Sequence, residues 1–507
     1  MVFSSSAPPP PAPALVSTVP TSVLQHDAPQ LLALVATNVS IPCVVSMGGV
    51  EGPCELDGNG GLAVTLTPEM VQAAGSVDVR ISNPGGRWSD PLPLEVRPVG
   101  ARTQWWLAGL DTNGGAVRVT VVNPFPRDAG LTFQHVLTTG PGPTTAAVLP
   151  AQRSMQIDVA GPSPGRGVGG NGALMVSSTV PVVVGAAYVT TNGLYSATVR
   201  AVSQPQTQWW VGSRPTKPTL VRSIHLFNPH PTLAANVALR ERIPNLRTTN
   251  LTVDPLSTFL HVFPPDGNNN DTVHLEVLSD VALATHSLSQ EPDDLEVFAP
   301  QATPTRDAYL LAAWSTDVTE RLVVVNPNAT PVVFTAQRLG TTQGLTTIIQ
   351  TVAAQSQYIH DANAGVGGGV GRFVLHVTAP QPVVPWLGRS LSNVDNCAQQ
   401  ATQPARDLLL VGTQVETTTP TTVLLFNPNT SAADVTLWGY SPSSAPAQVT
   451  VAAVPAGALR SVTLGAGFGP LTGQEWAFRV AASVPVVAAM EHTTAQAALR
   501  CDVAVTP

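Results

Sequence analysis

The amino-acid sequence predicts an all-β protein, a tandem array of five immunoglobulin-like β-sandwich domains in an elongated arrangement. Composition is the first reason. Charged residues make up 11% of the 507, less than half of the ~25% usual for soluble domains. The 48 Pro and 41 Gly supply turns, and the Val, Thr and Ala around them suit short strands better than helices. The second reason is repetition. An apolar strand ending in Asn-Pro occurs at Val119–Pro124, Ile224–Pro229, Leu322–Pro327 and Val423–Pro428. The third is spacing: these motifs recur at intervals of about 100 residues, the size of one immunoglobulin-like sandwich.

The elements follow in chain order. Residues 1–13 form a Pro-rich tail, with Pro8 to Pro11 reading as polyproline II and acting as a stiff tether. No basic n-region and no apolar h-region stand at the N-terminus, so a secretory signal is not expected in this chain. Residues 14–100 make the first sandwich. Four repeats follow at 101–205, 206–303, 304–403 and 404–507. In each, Asn closes the strand through its side chain, and the following Pro removes the donor that would continue the ladder. A second strand follows, as in Ala235–Leu239 and Ala433–Leu437, which predicts a hairpin. Upstream stand Trp105-Trp106 and Trp209-Trp210, with Tyr309-Leu310 and Leu408-Leu409 in the same place. A late strand pair closes each unit, for example Leu174–Val184 and Phe478–Val487. The linkers are short and contain Pro, so the modules are expected to extend as a rod on the order of 150–200 Å long.

Residues 14–98 carry a further pattern. Leu66–Gly86 includes Ala74-Gly75-Ser76-Val77-Asp78-Val79-Arg80-Ile81-Ser82-Asn83-Pro84-Gly85-Gly86, and Leu94-Glu95-Val96 follows. With the opening Ala14–Ser22 and the strand Leu31–Val39, this stretch resembles an IPT/TIG domain, an immunoglobulin-like sandwich. The resemblance implies the fold and a role as spacer, adhesive surface or docking module; it implies no activity. Through their "V-x-N-P" hairpins, the four repeats resemble uncharacterised bacterial surface β-sandwich repeats.

The chemistry-bearing residues point away from catalysis. Gly161-Pro162-Ser163-Pro164-Gly165 fits G-x-S-x-G, but Pro flanks the Ser on both sides and no helix pattern follows, so Ser163 is read as a loop residue. Gly365–Gly371 lacks the Lys-Ser/Thr of a P-loop. Ten histidines occur, among them His225, His230, His261, His274 and His286 in the second repeat, without metal-ligand spacing. The polar loops Asp266–Asp271 and Glu291–Glu296 read as turns. No catalytic residue, cofactor site or metal site is predicted.

Cys43 and Cys54 flank a strand and a Gly-rich turn, so a hairpin would bring them within disulfide reach. Cys397 and Cys501 would meet only if their repeats fold back on one another. The pairs Trp105/Trp106 and Trp209/Trp210 alternate across a strand: one indole enters the core, and the other faces a neighbouring module or a ligand such as a sugar ring. Sequons stand at Asn38, Asn250, Asn270, Asn328 and Asn429.

Net charge is -8 with no basic patch, which excludes nucleic acid as a partner, and no apolar run reaches the ~20 residues of a transmembrane helix. The expected role is non-enzymatic: structural or adhesive, at a cell surface, in an extracellular matrix or filament, or on a virion. It acts through protein partners or self-assembly, with glycan binding by exposed Trp as the alternative.

Overall fold

In the computed structural model, residues 12–503 are described apart from 26–30, 57–60, 68, 73–74, 98–99, 113–114, 168, 191–195, 216–220, 244, 264–271, 292–293, 299, 302, 315–317, 341–346, 363–370, 392–394, 401–402, 416–420, 465–473 and 494–498. Among the described residues every regular element is a strand, and the chain divides into two compact units, Met1–Val99 and Gly100–Pro507.

The first unit contains β1 (Ala14–Val19), β2 (Ser22–Leu24), β3 (Leu31–Thr37), β4 (Val44–Met47), β5 (Val50–Leu56), β6 (Leu62–Thr65), β7 (Gly75–Ser82) and β8 (Leu92–Arg97). One layer runs β1-β3-β6-β5 and the other β4-β7-β8-β2, with β5 also pairing β4. This is the ABED and CFG division of an immunoglobulin sandwich. β2 pairs parallel to β8, so the first strand crosses from one sheet to the other. Alternation decides the faces: Leu32 and Leu34 point into the core while Leu31 and Val35 face out. The β4–β5 turn needs positive φ at both central residues, and Gly48 (φ 59) and Gly49 (φ 86) supply it.

Among the described residues the four repeats have seven strands each. The first comprises β9 (Arg102–Leu107), β10 (Gly115–Asn123), β11 (Ala129–Leu137), β12 (Gly140–Leu149), β13 (Arg153–Asp158), β14 (Gly172–Thr190) and β15 (Ser196–Arg200). The second comprises β16 (Gln206–Pro215), β17 (Val221–Asn228), β18 (Ala235–Ile243), β19 (Asn245–Val253), β20 (Ser257–Phe263), β21 (Thr272–Glu291) and β22 (Asp294–Phe298). The third comprises β23 (Thr305–Trp314), β24 (Val318–Asn326), β25 (Val332–Leu339), β26 (Thr347–Val352), β27 (Ser356–Asp361), β28 (Gly371–Leu391) and β29 (Asp395–Gln400). The fourth comprises β30 (Ala405–Val415), β31 (Thr421–Phe426), β32 (Ala433–Tyr440), β33 (Ala447–Val454), β34 (Leu459–Leu464), β35 (Gln474–Thr493) and β36 (Leu499–Val503).

The long sixth strand belongs to both layers of its sandwich. The first half of β14 pairs β11 and β9, through Gly172–Ser178. Its second half pairs β10 and β15, through Val183–Thr190. The change of layer falls at Thr179-Val180-Pro181-Val182. Pro lacks the donor a continuous ladder needs, so it fits the break. Pro382 and Pro485 stand in the corresponding stretches of β28 and β35. The register also sets which residues are equivalent. Trp105 faces Val176, Trp209 faces Val277, Ala308 faces Val377 and Leu408 faces Val480. The third repeat therefore matches the Trp pairs with Ala308-Tyr309, one residue before the Tyr309-Leu310 read from spacing.

The Asn of each Asn-Pro corner is fully buried and makes the same bonds four times. Asn123 Nδ2 donates to the carbonyls of Arg127 (2.6 Å) and Pro150 (3.2 Å). Asn228 Nδ2 donates to Leu233 (2.8 Å) and Val253 (3.1 Å), and Asn326 Nδ2 to Thr330 (2.8 Å) and Val352 (3.1 Å). Asn427 Nδ2 donates to Ser431 (2.8 Å) and Val454 (2.9 Å). Each Oδ1 accepts from the amide two residues on, as in Phe125 N to Asn123 at 3.1 Å. One amide thus ties the strand end to the corner and to the far end of the next hairpin.

The repeats are not strung out as a rod, and here the elongated reading is corrected. Gly100–Pro507 is one compact unit in which repeats one and four touch. Ser154 N donates to Ser441 O at 3.3 Å, and Ser154 Oγ to Tyr440 O at 3.3 Å. The four last strands, β15, β22, β29 and β36, touch in a cycle. Short linkers fix the turn from one repeat to the next, and a head-to-tail contact repeated with a closing rotation makes a ring.

Two outcomes are expected. Asn326→Ala leaves buried carbonyls without a donor and should cost about 1–3 kcal/mol in urea unfolding. Serine-to-cysteine changes at both Ser154 and Ser441 should give an intramolecular disulfide on mild oxidation, seen as a faster band on a non-reducing gel. A strung-out array would hold these positions far apart and leave the band unmoved.

Candidate functional site

The Trp pairs divide as strand alternation requires. Trp105 is fully buried, and its Nε1 donates to Val182 O at 2.8 Å. Trp209 repeats this with Leu283 O at 2.8 Å. Each indole therefore bonds the long strand where it changes layers, satisfying a polar group there.

The second Trp of each pair faces the following repeat. Trp106 is half-buried and packs with Ala108, Val136 and Ala173 of its own repeat against Phe227 and Ala284 of the second. Trp210 is buried against Val323, Val325, Val384 and Trp386 of the third repeat. Tyr309 takes the same place against Leu424, Phe426 and Val487 of the fourth. The fourth junction closes on the first repeat, where Tyr440, Ala477, Val411 and Trp438 meet Val122. The receiving residue is always the one before the corner Asn: Phe227, Val325, Phe426 or Val122. The main chain of the second Trp is also tied to the outgoing linker. Trp106 and Val202 exchange both backbone bonds, as do Trp210 and Gln301.

Polar pairs sit at matching register positions beside these junctions. Gln208 Nε2 donates to Glu276 at 2.8 Å, His376 Nε2 lies 2.8 Å from Asp307, and Arg479 bonds buried Asp407 at 2.6 Å. Between repeats three and four, Arg372 pairs with Glu491 at 2.8 Å.

The first junction is unusual in holding two buried histidines. The His225 and His286 rings stack with centroids 5.3 Å apart, and Tyr188 Oη of the first repeat lies 3.0 Å from His286 Nε2. Ser223 Oγ lies 3.3 Å from His225 Nε2. Gly109 (φ 61) passes so close to His225 that a Cβ there would overlap the ring. Burial pushes His225 down to about 4; burial, followed by the neighbouring His225, pulls His286 well below the ordinary 6.5. Tyr188 is pushed up by burial and by Asp111, so it stays a neutral hydroxyl.

The remaining candidates stay apart. Ser163 lies in a loop between β13 and β14, and buried His135 contacts the carbonyl of Pro164 there (3.0 Å). Cys43 and Cys54 are buried, unbridged neighbours: Cys54 N donates to Cys43 O at 2.9 Å, and burial followed by the thiol–thiol contact raises the Cys54 pKa. β29 and β36, which carry Cys397 and Cys501, lie in contact. Asn328 and Asn429 use both amide hydrogens, on Asn326 or Asn427 Oδ1 and on the Pro382 or Pro485 carbonyl. A glycan on either would displace a bond. Asp266–Asp271 and Asn270 lie outside the described residues, as do Gly365–Val370 of the Gly-rich stretch. No group of three metal-ligating side chains occurs among the described residues, and no described helix is long and apolar enough to cross a membrane.

No family model and no curated protein matches the chain. Among solved structures, the chain is similar to a Bacteroides ovatus mixed-linkage glucan utilization locus protein, SGBP-B, in complex with a mixed-linkage heptasaccharide: 9% identity, 72% of this chain and 98% of that one, TM-score 0.15. It is also similar to a tetra-tandem repeat from the extending region of a large adhesion protein: 13% identity, 77% and 98% covered, TM-score 0.12. A third is Escherichia coli alpha-2-macroglobulin activated by porcine elastase: 9% identity, 97% and 53% covered, TM-score 0.15. Likeness at these scores carries no argument about function.

The buried histidines predict a pH dependence. Unfolded His binds a proton near 6.5 and folded His225 only near 4, so stability is full above pH 6.5 and lost as pH falls toward 4. Thermal melts should show a loss of about 3 kcal/mol across that window from His225, and His225→Phe should flatten it. An unchanged slope in that variant would assign the dependence elsewhere.

Proposed function

We propose that this chain is a non-enzymatic structural or adhesive protein of a cell surface, extracellular matrix or virion, acting through protein–protein contacts. The observation that carries the reading is the repetition of one free strand edge. β12, β19, β26 and β33 each end a sheet, and no described strand pairs their outer side. The edges present backbone donors and acceptors four times on one compact body. Such an array suits strand addition by a repetitive partner, with each weak contact multiplied by effective concentration. Apolar side chains stand exposed on two of them, Val148 (63%) and Ile349 (64%). The aromatic pairs serve the interior of the ring, which favours protein contacts over glycan contacts for the repeats. The first unit, read as an IPT/TIG-type module, supplies a further contact surface.

Protease shaving of intact cells or particles carrying the chain should release its peptides, and chemical cross-linking should join it to protein neighbours. Val148→Lys with Ile349→Lys should lower the cross-linked yield severalfold. Recovery of the intact chain from the cytosol alone, or a yield unaffected by these changes, overturns the proposal.

A further inference from the structure

The first unit carries an open groove of about 580 Å³. Its floor is a row across three adjacent strands: Glu51 on β5, Ser46 on β4 and Arg80 on β7 are direct register partners. Strands lie about 5 Å apart, so the row spans roughly 10 Å. Asp78 stands beside it, 3.7 Å from Arg80, and both side chains are about half exposed. At one wall stands Trp88, 38% exposed. The positive-φ Gly48 and Gly49 form the hairpin end of the groove. A Cβ on Gly49 would meet nothing within 4 Å, so the space beside it is open.

Trp88 is held in place although its indole is open. Its main chain bridges Ser82 of β7. The next residue, Ser89, is buried and doubly tied to that strand: Ser89 N donates to Ile81 O at 2.8 Å, and Ile81 N to Ser89 Oγ at 3.1 Å. The backbone that carries the aromatic platform is therefore fixed, which lowers the entropy cost of binding.

We propose that this groove is a binding site for a neutral oligosaccharide, with Trp88 as the stacking platform and Ser46, Glu51, Asp78 and Arg80 as partners of sugar hydroxyls. Several features select this class. Each sugar hydroxyl both donates and accepts, and the row offers acceptors on Glu51 and Asp78, donors on Arg80 and both on Ser46. A flat open indole matches the apolar face of a pyranose ring. Two carboxylates against one guanidinium disfavour phosphate or polyanions. β4 and β7 are paired on both sides, so no peptide can add there as a strand. The groove is shallow and polar, unlike the enclosed apolar pocket that holds a lipid or cofactor.

The test is titration calorimetry of the full chain with cellohexaose, laminarihexaose, xylohexaose, mannohexaose and chitohexaose, with oligogalacturonate as the charged comparison. At least one neutral probe should bind with Kd below about 1 mM. Trp88→Ala should weaken that binding about tenfold or more, and Arg80→Ala should weaken it too, with melting temperatures unchanged. Trp106→Ala should leave it unaltered. Absence of binding by every neutral probe overturns the proposal, as does equal binding by Trp88→Ala, or a preference for oligogalacturonate. The outcome does not depend on the role proposed for the repeat edges.

Discussion

One buried amide fixes the corner on which each repeat is built. A primary amide has two donors and one acceptor oxygen, and at Asn123, Asn228, Asn326 and Asn427 the donors go to main-chain carbonyls while the oxygen takes a main-chain amide and, at Asn326 and Asn427, also the side-chain amide of Asn328 or Asn429. The donors hold carbonyls at the corner and at the far end of the next hairpin; the acceptor holds the amide two residues on. Aspartate would bring oxygens against those carbonyls, and serine would not reach both. The corner also sets the assembly. The residue before the Asn is the one the preceding repeat packs against, whether Phe227, Val325, Phe426 or Val122. A shift of that strand by one residue would turn its apolar side chain to the opposite face and lose the junction.

The period and the corner were legible because both rest on local rules. Asn-Pro ends a strand by its own chemistry, and a run such as Leu322–Val325 has to be buried wherever it goes. The Trp pairs were legible halfway. Alternation required one indole inside and one outside, but whether the outer one met a neighbour or a ligand depended on the angle between repeats. That angle is a property of linkers and packing, with no period in the sequence to betray it. The extended arrangement failed for the same reason. The closing junction also has a different residue set, with Tyr440 and Trp438 from β32 packed against Val122. The fourth repeat carries Leu408-Leu409 where the first carries two indoles, so no aromatic signature marks the contact that completes the ring.

The histidine pair of the first junction shows how the ring can bury polar groups between two packed sandwiches. Tyr188 and Gly109 of one repeat close over His286 and His225 of the next, and the rings stack instead of bonding a carboxylate. Neutral imidazoles fill the space as planar, partly satisfied core groups. Histidine content alone therefore said little about chemistry. Placement decided it, and placement here is between two packed sandwiches.

Ring closure also decides where recognition chemistry can reside. A closed array consumes the outer indoles of its Trp pairs as mortar: Trp210 is buried, and Trp106 is partly covered by Phe227 and Ala284. Main-chain edges and scattered apolar side chains, such as Val148 and Ile349, stay exposed on the repeats. Trp88 of the first unit remains open beside Ser46, Glu51, Asp78 and Arg80, held by a main-chain bridge to Ser82 instead of by burial. An aromatic residue left exposed while its backbone is fixed makes its stability contribution through the chain and leaves its ring free for a ligand. The sequence signal for that residue was weak, because a lone Trp after Asn-Pro-Gly-Gly looks like a turn; only the pairing of β4, β5 and β7 shows which polar side chains stand in its row.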